Sequence, residues 1–141
     1  MAIDTKVEII HKETIKPSFP TPDDRKILKL SLFDQFTPIT YTPLVLFYPV
    51  NNGDSLASIA EKSQKLKKSL SETLTHFYPL AGRLKENTSI DCNDQGAEFI
   101  EARINCLLSE MLKNPDSQIL NQFLPAPIES PEAATGHQLL V

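Results

Sequence analysis

The sequence is poor in the residues that build easily recognised sites. Its 141 residues include two cysteines, four glycines and no tryptophan. Cys92 and Cys106 lack the CxxC spacing of zinc sites and suggest no disulfide framework, so we expect a reducing compartment, the cytoplasm. The four glycines are too scattered to form a phosphate-binding loop. We therefore predict neither a bound metal nor a bound cofactor.

Long apolar runs and excess positive charge are also missing. No stretch approaches the roughly 18 apolar residues that a membrane helix needs, and residues 1–14 lack a signal-peptide core. The net charge of −4 argues against nucleic-acid or membrane-surface binding. One basic run stands out, and we interpret it as the solvated face of a helix. It consists of Lys62, Lys65, Lys67 and Lys68.

Hydrophobic patterning in the first third of the chain predicts strands and loops. Residues 6–16 alternate as in an exposed or edge strand, and residues 27–32 alternate as in a half-buried strand. Residues 34–42 are predicted to form a loop. The apolar run over residues 43–49 lies between prolines and is typical of a strand buried on both faces.

A long helix is predicted next, after a turn over residues 51–54, with Asp54 or Ser55 as its N-cap. Pro79 ends this helix because proline lacks the amide hydrogen, and Gly82 lets the backbone turn without steric cost from a side chain. The stripe that docks the helix recurs at spacings of three and four. Its members are Leu56, Ile59, Ser63, Leu66, Leu70, Leu74 and Phe77.

The last third of the chain is predicted to be a hairpin followed by irregular structure. Residues 83–104 alternate on both sides of a turn at residues 93–96. A short helix is expected over residues 107–112, and residues 114–136, with four prolines, are predicted to be a surface connection. Another apolar run begins at residue 137.

No catalytic centre is visible from the residues alone. His11, His76 and His137 lack the partners that a zinc helix or a catalytic pair needs. His76 lies near the end of the predicted helix, where a packed structural role is favoured over a catalytic one.

Five ordered segments nevertheless resemble one family, the plant BAHD acyltransferases. "LSETLTHFYPLAGRL" is similar to the family's signature, and "ETIKPSFPTP" to its proline-rich entry. "LSLFDQF", "PLVLFYP" and "SIDCNDQGAEFIEARI" resemble its strand end, apolar strand and hairpin. The amino-acid sequences of these segments are most similar to those of members that act on alkaloid alcohols.

The resemblance implies an α/β fold of the chloramphenicol-acetyltransferase type. Residues 1–141 would be the N-terminal part of the first domain of a longer, monomeric enzyme, with a mixed sheet, one long packed helix and truncation before the domain is complete. That enzyme would transfer an acyl group from acyl-CoA, as co-substrate, to a small-molecule alcohol. A histidine in an HxxxD motif would act as general base on the acceptor hydroxyl.

The family has a second motif, DFGWG, which is usually read as structural, and neither it nor HxxxD occurs in this chain. Four residues after the three histidines come Ile15, Leu80 and Val141, and the absence of tryptophan excludes DFGWG. We therefore expect no catalytic residue here and no activity from the chain alone. The alternative is a non-catalytic relic that binds a small ligand or a partner protein. An unrelated enzyme using His76 is strongly disfavoured.

The resemblance also implies which residues serve the site. The loop after Asp34 would face the acceptor pocket, although the same residues could merely close a surface loop. The structural residues would be Asp34, Pro79, Gly82 and Arg83. For Arg83 the reason is that a buried guanidinium must find carboxylate or carbonyl partners. The substrate contacts predicted in this way are Phe36, Pro38, Ile39 and Tyr41.

Overall fold

A computed structural model of the chain describes residues 5–49, 56–113, 115–131, 133 and 136–141. Single turns of 3-10 helix occur at Asp23–Arg25 and Tyr78–Ala81. The strands and α-helices of the described residues are β1 (Val7–Ile15), β2 (Ile27–Lys29), α1 (Leu32–Phe36), α2 (Leu56–His76), β3 (Arg83–Lys85), β4 (Ser89–Asp91), β5 (Ala97–Ile104), α3 (Leu108–Lys113) and α4 (Ser117–Asn121).

The first sheet is mixed, as predicted. β1 pairs antiparallel with β5, from Val7 opposite Ile104 to Ile15 opposite Ala97. Residues 139–141 run parallel to β5, where the amide of Ile100 donates to the carbonyl of Val141 at 2.7 Å. The predicted strand over residues 6–16 is confirmed, and the apolar run at the end of the chain is paired with β5.

The second sheet has the order β2–β4–β3, and its hairpin turn is not where we predicted it. The chain reverses at residues 86–88, where the Thr88 amide donates to the Lys85 carbonyl at 3.1 Å. Glu86 and Asn87 both have positive φ, the pattern of a type I′ turn. Residues 93–96 instead carry the chain from β4 to β5, which belongs to the other sheet.

The long helix is confirmed, but its buried face differs from the predicted stripe. Leu74 is fully buried and Leu70 is half-buried, whereas 62% of Leu66 is exposed, and Ile59 and Phe77 are exposed as well. Toward its N-terminal half, α2 contacts β5 through polar groups. This part of the helix is therefore held by hydrogen bonds and ion pairs rather than by apolar burial.

Lys67 contradicts the interpretation of the basic run as a wholly solvated face. Its Nζ lies 2.5 Å from Oε1 of Glu13 and 2.9 Å from Oε2 of Glu101, and 5.3 Å from the ring centre of Phe99. Glu101 also accepts from the hydroxyl of Ser63. The hydrogen bonds that Lys67 donates to Glu13 and Glu101 raise the pKa of Lys67, and the hydrogen bonds that Glu101 accepts from Ser63 and Lys67 lower the pKa of Glu101.

A small apolar core forms where α2 ends over the first sheet. Its buried members are Ile15, Leu74, Ala81, Ala97 and Phe99. The helix ends at His76, and the 3-10 turn that follows contains Pro79, as expected from proline's missing donor.

Gly82 is needed for a reason other than the predicted one. Its backbone is extended, with φ −93° and ψ −164°, so no unusual turn requires glycine. A Cβ atom at this position would lie 2.5 Å from the carbonyl oxygen of Asp91, inside van der Waals contact. Gly82 therefore permits the close approach of two backbone segments.

The connector after β1, residues 16–22, contains no strand or helix, and a carboxylate fixes it. Asp94 accepts from the amide of Thr21 at 2.9 Å, from its hydroxyl at 2.6 Å and from Nζ of Lys26 at 3.3 Å. Burial raises the pKa of Asp94, but the Thr21 and Lys26 contacts outweigh burial and lower it overall. Asp94 thus ties the connector to the link between the two sheets.

Two predictions for the region before α2 are wrong. The strand predicted over residues 27–32 ends at Lys29 and is exposed, and Leu32 begins α1, which takes the first residues of the predicted loop 34–42. Residues 43–49 form no strand and are mostly exposed. None of the described strands lies beside them, and an apolar run becomes a buried strand only when neighbours satisfy its backbone.

Several other predictions fall in the remaining segments. The turn over residues 51–54 and the Asp54 or Ser55 cap lie outside the described residues. The short helix near residues 107–112 is confirmed as α3. Residues 115–131 contain α4 and turns, and their role as a surface connection stays a prediction. In the described part of the chain, no helix combines the length and apolarity that crossing a membrane requires.

Candidate substrate-binding site

A capping box fixes the start of the segment that was predicted to contact substrate. The Asp34 amide donates to the Ser31 hydroxyl oxygen at 3.2 Å, and the Ser31 amide donates to the Asp34 carboxylate at 3.0 Å. These reciprocal bonds satisfy first-turn donors and begin α1. Hydrogen bonds from the Ser31 side chain and amide also lower the pKa of Asp34. The predicted structural role of Asp34 stays a prediction, and the capping box supplies its geometry.

The four predicted substrate contacts do not share one surface. Phe36 ends α1 with 79% of its surface exposed, and Pro38 and Ile39 are also exposed. Tyr41 is half-buried; its amide donates to the Ile128 carbonyl at 3.0 Å and its hydroxyl to the His137 carbonyl at 2.9 Å. Tyr41 is therefore the best-anchored of the four.

Two cavities flank this loop. One, of about 300 Å³, lies between residues 40–44, residues 124–128 and residues 138–140, and Tyr41 contributes to it. The other, of about 270 Å³, lies between residues 37–40 and the second sheet, and Pro38 and Ile39 contribute to it. Phe36 lines neither cavity. The structure thus separates Tyr41 from Pro38 and Ile39, with Thr40 common to both cavities.

Arg83, which begins β3, occupies the space behind the loop. Its Nη1 donates to the carbonyls of Gly82 at 2.7 Å and Gly96 at 3.0 Å, and its Nη2 lies 2.8 Å from Nδ1 of His137. Arginine can only donate, so this bond requires the His137 tautomer with an unprotonated Nδ1; the 3.0 Å contact of Nδ1 with the Gly96 carbonyl oxygen is then not a hydrogen bond. Burial lowers the pKa of Arg83, while the nearby Tyr41 hydroxyl opposes that shift. The guanidinium has carbonyl partners of the expected kind and no carboxylate partner among the described residues.

Sequence reasoning missed two residues of this site, His137 and Gln138. His137 was assessed only as a catalytic histidine, but it joins Arg83 to Tyr41 by accepting a hydrogen bond at its ring and another at its carbonyl. Gln138 lines both cavities. The only available signal was a polar pair at the start of an apolar run, which does not specify such contacts.

The described residues offer binding surfaces and hydrogen bonds rather than a reactive group. Within them, no three His, Cys, Asp or Glu side chains are grouped so that they could hold a metal ion. His76 is exposed at the end of α2. The arrangement is suited to holding a small molecule against a loop that Tyr41 and Arg83 keep in place.

Comparisons with known proteins agree on one family. The family model described as the Transferase family matches residues 5–141. Akuammiline synthase 2 of Alstonia scholaris is 51% identical over 84% of this chain, and stemmadenine O-acetyltransferase of Catharanthus roseus is 49% identical over 85% of it. The crystal structure of vinorine synthase superimposes on 90% of this chain with a TM-score of 0.80 and 43% identity.

The chain spans only part of each of these proteins. It covers 26% of akuammiline synthase 2, 28% of stemmadenine O-acetyltransferase and 32% of the vinorine synthase chain. The similarity extends from β1 to residue 141 and includes both sheets and α2. The chain therefore has the fold of one portion of the longer relatives.

Proposed function

We propose that this chain, which belongs to the Transferase family of BAHD acyltransferases, is the N-terminal portion of an acyl-CoA-dependent O-acyltransferase. The observation that carries the proposal is the match of residues 5–141 to the family, together with the TM-score of 0.80 to vinorine synthase at 43% identity. In the longer enzyme, this portion supplies one wall of the acceptor pocket through the loop after Asp34.

The chemistry belongs to residues outside this chain. In the family, a histidine of HxxxD removes the proton from the acceptor hydroxyl, which then attacks the thioester carbonyl of acyl-CoA. No histidine of this chain is followed by aspartate at the required spacing. The 141-residue chain alone is therefore inactive, and its part in catalysis is to shape the pocket and hold the acceptor.

The acceptor is a plant alkaloid or terpenoid alcohol, and acyl-CoA is the only co-substrate. The name of stemmadenine O-acetyltransferase, which is 49% identical to this chain, gives stemmadenine, an alkaloid alcohol, as its acceptor. The full enzyme acts as a monomer in the cytoplasm, a location that suits the free thiols of Cys92 and Cys106. It binds neither nucleic acid nor membranes, a proposal supported by the net charge of −4 of the 141-residue portion.

An intact-mass measurement tests the first part of this proposal. The native protein is immunopurified with an antibody against residues 113–136 and weighed by mass spectrometry. We expect a mass several times that of 141 residues, because the chain covers 26% to 32% of its relatives. A mass equal to that of the 141-residue chain would contradict the proposal and favour a non-catalytic binding module.

An activity assay tests the second part. The purified long protein is incubated with acetyl-CoA and stemmadenine, and acetyl transfer is followed by release of free thiol from coenzyme A. The recombinant 141-residue chain is the control, and we expect thiol release only from the long protein. Release by the short chain would show that residues outside HxxxD perform the reaction.

A further inference from the structure

The two cavities beside the loop share two lining residues. Gln138 and Thr40 line both of them. The Nε2 atom of Gln138 is shielded from solvent and has no hydrogen-bond partner among the described residues. A buried amide without a partner has lost its hydrogen bonds to water, so such groups usually have a partner when the protein performs its function.

The backbone of Gln138 is held from both sides. The preceding residue is His137. Its ring Nδ1 lies 2.8 Å from Nη2 of Arg83, and its carbonyl accepts from the Tyr41 hydroxyl at 2.9 Å. The following residue, Leu139, accepts the amide of Glu98 at 3.2 Å as residues 139–141 pair with β5. These bonds join segments that are distant in sequence. The carboxamide of Gln138 is thus carried by a fixed backbone rather than by a free loop.

We propose that Gln138 is a ligand-binding residue that donates a hydrogen bond to an oxygen of the acceptor alcohol, and so helps to determine acceptor specificity. The proposal rests on the proposed function and deepens it by naming a contact. A glutamine carboxamide carries two N–H donors and a carbonyl acceptor, so it can bind a hydroxyl, ether or ester oxygen of the acceptor.

The surroundings of Gln138 fit a small molecule that carries both apolar and polar groups, because Thr40 and Tyr41 line the first cavity beside apolar side chains. The larger cavity, of about 300 Å³, lies at the lower end of the range for ligand pockets. Its walls include Leu44, Leu124 and Ile128 as apolar surfaces, and Thr42 as a polar one. A buried donor without a protein partner in such a wall orients a ligand and discriminates against analogues that lack the matching oxygen.

An NMR titration of the long protein, ¹⁵N-labelled at its glutamine side chains, with stemmadenine tests the proposal directly. The side-chain NH₂ signals of Gln138, assigned through Gln138→Met, are followed during the titration. We expect them to shift on binding, and we expect Gln138→Met to bind stemmadenine about tenfold more weakly, as the loss of one hydrogen bond predicts. The matched control is Gln64→Leu, which removes an exposed glutamine of α2 and should leave the affinity unchanged.

A second variant, Gln138→Glu, also removes the side-chain NH₂ signals and gives the same assignment, so the test holds even where Gln138→Met fails to fold. Absence of any shift at Gln138 overturns the proposal, whether stemmadenine binds elsewhere or not at all. The KM for stemmadenine is also measured for the Gln138→Met variant of the long protein. If the variant transfers acetyl with an unchanged KM, the role of Gln138 is refuted and the proposed function stands. A shift at Gln138 without acetyl transfer would support the site and refute the proposed function.

Discussion

Replacing Arg83 with methionine is the most informative perturbation of this structure. The guanidinium bridges the carbonyls of Gly82 and Gly96 and the ring of His137, at 2.7, 3.0 and 2.8 Å. Methionine retains much of the apolar volume but donates no hydrogen bond. The variant therefore isolates the contribution of the three hydrogen bonds from that of packing.

The expected loss of stability follows from the acceptor atoms that remain without a donor. Two carbonyls and the Nδ1 of His137 lose a charged donor in a half-buried site, where each such bond contributes about 1.5–3 kcal/mol. Water can replace part of this because the site is not fully enclosed. We expect the free energy of unfolding to fall by about 2–4 kcal/mol. Arg83→Lys should recover only part of it, because one ammonium cannot reproduce the fork of the guanidinium.

Urea unfolding followed by far-UV circular dichroism measures this loss, since the chain has no tryptophan for fluorescence. Arg25→Met removes an exposed arginine and should change the stability by less than about 0.5 kcal/mol. In the long enzyme, Arg83→Met should affect stability more than the KM for the acceptor. A stable Arg83→Met enzyme with a much higher KM would refute the structural role and make Arg83 a substrate ligand.

Two further predictions concern the polar contacts that join the elements. Asp94→Asn should lower the stability at pH 7 by about 1–2 kcal/mol, because the amide accepts less strongly from Thr21. Since the folded pKa of Asp94 is lowered, its stabilisation is complete above about pH 3.9 and is lost as the pH falls through the folded value. The parent should therefore lose stability more steeply in acid than the variant, and parallel pH profiles from urea unfolding would contradict this. Lys67→Met should cost about 0.5–1 kcal/mol, a loss that shrinks in high salt, whereas Lys68→Met, whose ion pair is exposed, should cost less. Equal and salt-independent losses in thermal unfolding would rule out the ionic role of Lys67.

The sequence predicts the elements whose signals are local. The helix from Leu56 to His76 follows from periodicity and from Pro79, and the strand at Val7–Ile15 follows from alternation. The start of α1 was missed although the Ser31–Asp34 capping box was readable in the sequence. There the alternating apolar residues suggested a strand, while the cap decided the outcome.

Pairing partners could not be predicted from the same patterns. The apolar run at residues 43–49 suggests a buried strand, but its conformation depends on a neighbouring strand that local sequence does not specify. Similarly, the period of α2 assigns Leu66 to the docking stripe and Lys67 to the solvated face, and the structure reverses the two. Only the position of Glu13 and Glu101 across the sheet shows why the lysine turns inward and the leucine does not.

In the candidate site, too, some features could be predicted from the sequence and others could not. The need of Arg83 for carbonyl partners was predictable from the cost of burying a guanidinium, although which carbonyls it would find was not. The role of His137 and the position of Gln138 depend on contacts with Tyr41 and Arg83, which are distant in sequence. Residue types alone gave no reason to choose this histidine and this glutamine.

The pairing of β1 with β5 has a consequence for synthesis on the ribosome. About 80 residues separate Ile15 from its partner Ala97, so at about 5–20 residues per second β1 waits for several seconds before β5 is made. During this interval its backbone donors and its apolar Ile9 and Ile10 are available to other nascent chains. The charged residues distributed along β1 oppose such contacts by repulsion and by their hydration. They include Glu8, Lys12 and Glu13.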